Sequence, residues 1–165
     1  MITKILIPEE RLAVVIGSRG TMKREIEKST NTKIKVMDDV QIEGDALDVI
    51  AAENIISAIG RGFAPKYAMA LKKEENSLVI IELPKNERTL KRVRSRLIGS
   101  NGKTRRNIEE YTKTRISIYG KTASIIGAYD DVELAKTALQ KLIKGLSHKS
   151  VYKFLEEKKK RGMPQ

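Results

Sequence analysis

Apolar and polar positions along this chain fall into short runs whose period keeps changing. Ile2 to Ile7 is rich in β-branched residues and stops at Pro8, which predicts a strand. Glu9 to Ile16 takes helical spacing, with acids in a first turn where the helix dipole favours them. Gly17 to Gly20 breaks that helix. Thr21 to Thr30 starts another, with Met22, Ile26 and Ser29 on the expected inner face. Lys33 to Val36 alternates as a half-buried strand, Asp38-Asp39 turns, and Val40 to Glu43 returns. Gly44-Asp45 then caps a helix over Ala46 to Ile59, with Leu47, Ile50, Ala51, Ile55 and Ile59 as its apolar stripe. The order is β-α-α-β-β-α.

Gly60-Arg61-Gly62 ends this course, and Pro65 opens a short helix, Lys66 to Leu71. Phe63, Tyr67, Met69 and Leu71 in this segment are expected to join the two halves of the chain. The same order then repeats: a strand over Leu78 to Leu83, a helix over Glu87 to Ile98 capped by Asn86, a loop over Gly99 to Gly102, and a helix over Lys103 to Thr112. Strands come next over Arg115 to Tyr119 and Thr122 to Ile126. A helix over Asp131 to Lys144 turns Val132, Ala135, Leu139, Leu142 and Ile143 inward. In the tail, Ser150 to Glu157 begins a helix that Val151, Phe154 and Leu155 dock, Lys158 to Arg161 is basic, and Gly162 to Gln165 is expected to fray.

The two halves are copies. From Ile16 to Val36, ten of twenty-one positions are identical to those eighty-two residues later. The chain of 165 residues is therefore read as an α+β protein of two small domains, 1–62 and 78–149, with a linker at 63–77 and a basic, partly helical tail at 150–165. Each domain is expected to set three helices on one face of a three-stranded antiparallel sheet.

Charge separates the copies. The net charge is +12, which calls for a polyanionic partner. Residues 1–60 hold 8 Lys/Arg against 10 Asp/Glu, whereas residues 61–165 hold 25 against 11. The halves share a fold signal and are not expected to share a partner equally. There is no cysteine, no apolar run of membrane-spanning length and no signal peptide, which fits a cytoplasmic protein. The single histidine, His148, is expected near a helix end and builds no metal cluster.

The most informative stretch is Gly99-Ser100-Asn101-Gly102-Lys103, matched by Gly17-Ser18-Arg19-Gly20. Glycines permit the tight bend between two helices. The loop opens the second helix, where free N–H groups and the dipole favour an anion. Lys103, Arg105 and Arg106, with Lys91, Arg92, Arg94 and Arg96 on the preceding helix, make a phosphate-tracking surface. Arg19, Lys23 and Arg24 do so more weakly in the first copy. Gly102-Lys103-Thr104 mimics the end of a P-loop, but the glycine required five residues earlier is Leu97. Asp38-Asp39 and Asp130-Asp131 sit where turns and helix starts explain them. The chain is expected to be no enzyme and to need neither cofactor nor metal.

Two Gly-x-x-Gly loops, each inside a β-α-α-β-β-α order, resemble the type I KH domain. In that family the loop clamps the backbone of about four single-stranded nucleotides. The resemblance implies an apolar base groove beside the loop, which here falls on Leu97, Ile98, Ile108 and Ile116. The junction Gly60-Arg61-Gly62-Phe63 with Ala70-Leu71, and the closing Ser150-Val151-Tyr152-x-x-Leu155, are similar to ribosome-assembly KH proteins of the Krr/Dim (partner-of-Nob) type. This implies single-stranded RNA binding near the 3′ end of small-subunit rRNA, with the rRNA-trimming endonuclease and a translation initiation factor subunit as partners. Eukaryotic relatives carry a degenerate first loop, whereas Gly17 to Gly20 is intact. The competing reading is an adaptor that holds a nuclease or initiation factor and binds RNA secondarily. A double-strand binder fits less well, because this loop architecture reads splayed single strands.

Overall fold

The computed structural model describes residues 1–162. Its elements are β1 (Ile2–Ile5), α1 (Glu9–Ile16), α2 (Thr21–Thr30), β2 (Lys33–Val36), β3 (Val40–Glu43), α3 (Ala46–Gly60), α4 (Pro65–Ala68), β4 (Asn76–Glu82), α5 (Glu87–Ile98), α6 (Lys103–Thr112), β5 (Arg115–Tyr119), β6 (Thr122–Ala128), α7 (Tyr129–Ile143) and α8 (His148–Gly162). Single 3-10 turns occupy Ser18–Gly20, Met69–Lys72 and Ser100–Gly102. The chain divides into Met1–Leu78 and a second unit from Val79 onward.

Each unit builds one three-stranded sheet with the last strand in the middle, β1-β3-β2 and β4-β6-β5. In the first, Ile2 pairs with Glu43 and Val36 with Val40, both antiparallel. In the second, Arg115 pairs with Ile126 and Tyr119 with Thr122, again antiparallel. Alternation puts Ile34, Val40 and Ile42 into one core, and Ile116, Ala123 and Ile125 into the other. The second core is completed by Leu97, Ile108, Leu139 and Leu142 from the helices.

Both units repeat the same internal fastening. Glu27 accepts from the Ile34 amide at 2.8 Å and pairs with Lys23 at 3.4 Å. Glu109 accepts from the Ile116 amide at 2.7 Å and pairs with Arg105 at 3.0 Å. Each carboxylate ties the second helix to the following strand. Just beyond, Thr30 donates to the Ile26 carbonyl and meets Thr32, while Thr112 donates to Ile108 and meets Thr114. An arginine from the first helix of each unit also ties down the end of its third, α3 or α7. Arg11 donates to the carbonyls of Ile59 and Phe63. Arg96 donates to those of Leu142 and Leu146.

The structure departs from the sequence reading at several points. On α3, Leu47 and Ile50 are exposed, and the buried face runs through Val49, Ala52, Ile55, Ile56 and Ile59. Apolar residues wrap most of this helix, so periodicity does not single out a face. Tertiary fit does: a Cβ at Gly60 would lie 2.7 Å from Ile7 Cγ2, so α3 closes on that side chain. On α2, Ser29 is exposed and Thr30 is buried instead. The first strand ends at Ile5, leaving Leu6 exposed. The β4 strand begins earlier than expected and β6 runs on to Ala128, while α7 starts at Tyr129.

Phe63, Ala68 and Leu71 are buried, and α4 with the Met69–Lys72 turn packs on α3 within the first unit. In the second unit α8 occupies the corresponding place on α6 and α7, held by buried Val151 and Leu155, with Phe154 half-buried under Lys141 at 4.7 Å. The tail is thus one continuous helix through the basic run. The part of the expected frayed end at 163–165 lies outside the described residues.

Candidate nucleic-acid interface

The two glycine loops have the same backbone. Gly17 and Gly99 end their helices at φ 73° and 74°, each N–H returning to the carbonyl four residues back at 2.9 Å. Arg19 and Asn101 take left-handed angles, φ 54° and 55°, and Gly20 and Gly102 follow at 75° and 76°. Each loop closes with the last glycine amide donating to the first glycine carbonyl at 3.2 Å. The first glycine has no alternative in either copy. A Cβ at Gly99 would sit 2.8 Å from both the Cβ and the backbone nitrogen of Thr104, and one at Gly17 would sit 2.6 Å from Met22 Cβ. Asparagine tolerates the left-handed position better than arginine, so the second loop is locally the less strained.

Neither α2 nor α6 is capped by a side chain. Their first amides therefore open onto the loop, the arrangement that receives an anion. Ser100 and Asn101 are exposed at the tip, and Lys103 is exposed, with no partner among the described residues. Arg106 is exposed but bent back, donating to the Asn101 carbonyl at 2.6 Å, so it supports the loop while keeping charge beside it. Arg105 is committed to Glu109, and Arg96 to the end of α7. In the first copy Ser18, Arg19 and Arg24 are exposed, whereas Lys23 is held by Glu27 and donates to the Ile34 carbonyl at 3.1 Å.

Three of the four apolar groove candidates belong to the core of the second unit. Leu97 and Ile108 are fully buried and Ile116 nearly so; only Ile98 keeps part of its surface. Beside the loop lies instead an open hollow of about 470 Å³, walled by Arg92, Ser95, Arg96, Ser100, Lys103 and His148. His148 is half-buried, and its Nε2 lies 2.9 Å from the Arg96 carbonyl. Sequence reasoning left His148 aside, and no spacing signal links it to a loop some fifty residues away. On the far side of α5, Arg94 donates to the Gly120 carbonyl at 2.7 Å, tying the helix to the β5–β6 turn. Among the described residues no group of His, Cys, Asp or Glu has the makings of a metal site. No helix there is long and apolar enough to cross a membrane.

Paired helix–loop–helix clamps on twin sheets of this order define a nucleic-acid-binding module, and family models agree. A eukaryotic-type KH domain (KH-domain type I) matches residues 77–160, and a KH domain matches residues 2–58. The chain belongs to the KH-domain family.

Within it, the chain is related to the archaeal Dim2 and eukaryotic PNO1 proteins. It is 38% identical to a KH domain-containing protein of Methanocaldococcus jannaschii, over 94% of this chain and 73% of that one. Dim2p from Pyrococcus horikoshii superposes with TM-score 0.90 at 44% identity, covering 95% of this chain and 99% of that one. The same protein in a complex with a/eIF2alpha and rRNA gives 0.90 at 43%, covering 97% and 94%. The Pre-rRNA-processing protein PNO1 of Chaetomium thermophilum is 30% identical over 67% of this chain, which spans only 44% of that longer protein.

Proposed function

We propose that this protein binds single-stranded RNA through its Gly-x-x-Gly loops, with the second unit as the main reader, near the 3′ end of small-subunit rRNA during ribosome assembly. The observation that carries the reading is the second loop itself: an uncapped helix start, an exposed Ser100-Asn101 tip and an unpartnered Lys103 beside a hollow walled by arginines. Steered contact with phosphates needs this arrangement, and a splayed strand supplies them without a second strand in the way. The likeness to a Dim2p crystallised with rRNA supports the choice of RNA.

A second reading rests on the first unit. Residues 1–60 carry more acid than base, and Ile2, Leu6, Leu47 and Ile50 are exposed there. The first unit then serves as a docking unit for a protein of the assembly machinery, such as an rRNA-trimming endonuclease or an initiation factor subunit. The presence of a/eIF2alpha beside that Dim2p supports it.

Fluorescence anisotropy with an RNA matching the rRNA 3′ end, against a scrambled RNA at two salt concentrations, tests both readings. Ser100→Asp with Asn101→Asp leaves the fold intact, because both side chains are exposed and aspartate accepts the left-handed angle. It sets two carboxylates against phosphate and is expected to abolish most binding. The same change at Ser18 and Arg19 costs less. Equal binding of both RNAs, indifferent to the variant, replaces readout by a merely basic surface and gives the adaptor reading the lead.

A further inference from the structure

We propose that the RNA path of the second unit continues from the loop onto α8, where the rings of His148 and Tyr152 take up bases of the strand leaving the clamp. This rests on the RNA-binding reading above and extends it to a site outside the Gly-x-x-Gly loop. The chain has only seven tyrosines and phenylalanines and one histidine, and three of these eight rings form a single row. His148 walls the hollow beside the loop. One helical turn further on, Tyr152 lies with its ring centre 6.5 Å from His148 at an interplanar angle of 46°. Tyr111 of α6 stacks behind Tyr152 at 6.4 Å and 27°. The row thus starts at the clamp and leads away from it.

The row is not core. All three rings are half-buried, and Val151 and Leu155, on the other face of α8, do the seating. Two open hollows flank Tyr152, about 300 Å³ bounded by Asn107, Glu110 and Lys159, and about 600 Å³ bounded by Lys149 and Lys153. These are the dimensions of small-ligand sites. A half-exposed ring with lysines around it is what a base and its phosphate require, because stacking tolerates any base and the ammonium groups neutralise the backbone.

The one carboxylate shared by both hollows, Glu156, adds selectivity. Its Oε1 accepts from the Tyr111 hydroxyl at 2.9 Å, which fixes the ring, and among the described residues nothing donates to its Oε2. A carboxylate repels phosphate but accepts from an exocyclic amino group. The base stacked on Tyr152 is therefore one with an amino edge, such as cytosine, in preference to uracil.

The test compares an RNA of about four nucleotides, the length one loop clamps, with RNAs of about eight that add cytidines or uridines at either end. Wild type is expected to bind one cytidine-extended RNA about tenfold more tightly than the short one. Tyr152→Leu keeps apolar volume on α8 and is expected to remove that gain while leaving the short RNA unaffected; Tyr152→Phe behaves as wild type. If extension brings no gain, or if Tyr152→Leu binds the extended RNA as well as wild type or loses both RNAs equally, the proposal is overturned and the clamp stands alone. If wild type binds neither RNA, the RNA-binding reading itself has failed.

Discussion

Replacing Glu109 by alanine removes the buried acceptor that ties α6 to β5, and the duplication supplies a matched comparison at Glu27. Glu109 lies in a buried setting, accepting from the Ile116 amide at 2.7 Å and from Arg105 at 3.0 Å. A hydrogen bond to a charged acceptor contributes about 1.5–3 kcal/mol, and a buried amide left without a partner costs a similar amount. The ion pair adds less, because the Arg105 side chain is 32% exposed. Glu109→Ala is therefore expected to cost about 3 kcal/mol, and Glu109→Gln, which keeps an acceptor for the amide, about 1 kcal/mol. At Glu27 the side chain is 22% exposed and the Lys23 pair longer, at 3.4 Å, so water replaces part of what is lost. Glu27→Ala should cost about half as much as Glu109→Ala. Native-state hydrogen exchange reads the effect where it arises. The Ile116 amide should exchange about a hundredfold faster in Glu109→Ala, while the change at Ile34 in Glu27→Ala stays near tenfold. If the exposed copy costs as much as the buried one, or Gln costs as much as Ala, desolvation of the amide is not what the carboxylate guards against.

Three further outcomes rest on the same geometry. Gly99→Ala should destabilise the second unit by several times more than Gly120→Ala in urea unfolding, because both have positive φ but only Gly99 faces Thr104 within contact distance. Tyr111 should ionise above the ordinary tyrosine value of 10.0, chiefly because its hydroxyl donates to Glu156, with burial and the nearby charge adding to this. Above that ordinary value the unfolded chain releases the proton first, so stability present below pH 10 declines as pH rises toward the folded value; a tyrosinate absorbance titration that moves back toward normal in Glu156→Ala checks the cause. Lys103→Ala should reduce the salt slope of RNA binding by about 0.7, the value of one phosphate contact on a single strand, without changing sequence preference. An unchanged slope removes Lys103 from the phosphate path.

Much of the fold was legible because its punctuation is local. Pro8, Gly17, Gly44 and Asn86 mark boundaries through their own backbone preferences, and Asn86 Oδ1 does accept from the Thr89 amide at 3.1 Å. The duplicated loop was legible for the same reason. What failed was the face of α3, where apolar residues on nearly every side leave the choice to packing, so that Leu47 and Ile50 end outside. Basic residues near the loop were equally ambiguous. Arg96, Arg105 and Lys103 look alike in sequence, yet the first fastens α7, the second pairs with Glu109 and the third has no partner among the described residues. The Glu27/Glu109 fastening did leave a signal, an identical acid at the same place in both copies, but its meaning depends on a strand amide that only the folded chain brings near.

The loop's backbone is held before any ligand arrives. With Gly99 wedged against Thr104, Asn101 already left-handed and Arg106 bracing the Asn101 carbonyl, little conformational freedom is left to surrender on contact. Binding to such a site has the kinetics of docking rather than of coupled folding. On the RNA-binding reading proposed above, arrival would be governed by how often a strand drifts into the field of the basic half, salt would slow capture, and departure would report how well the bases fit. On that reading, a weak general hold and a selective residence time would then reside in one rigid turn.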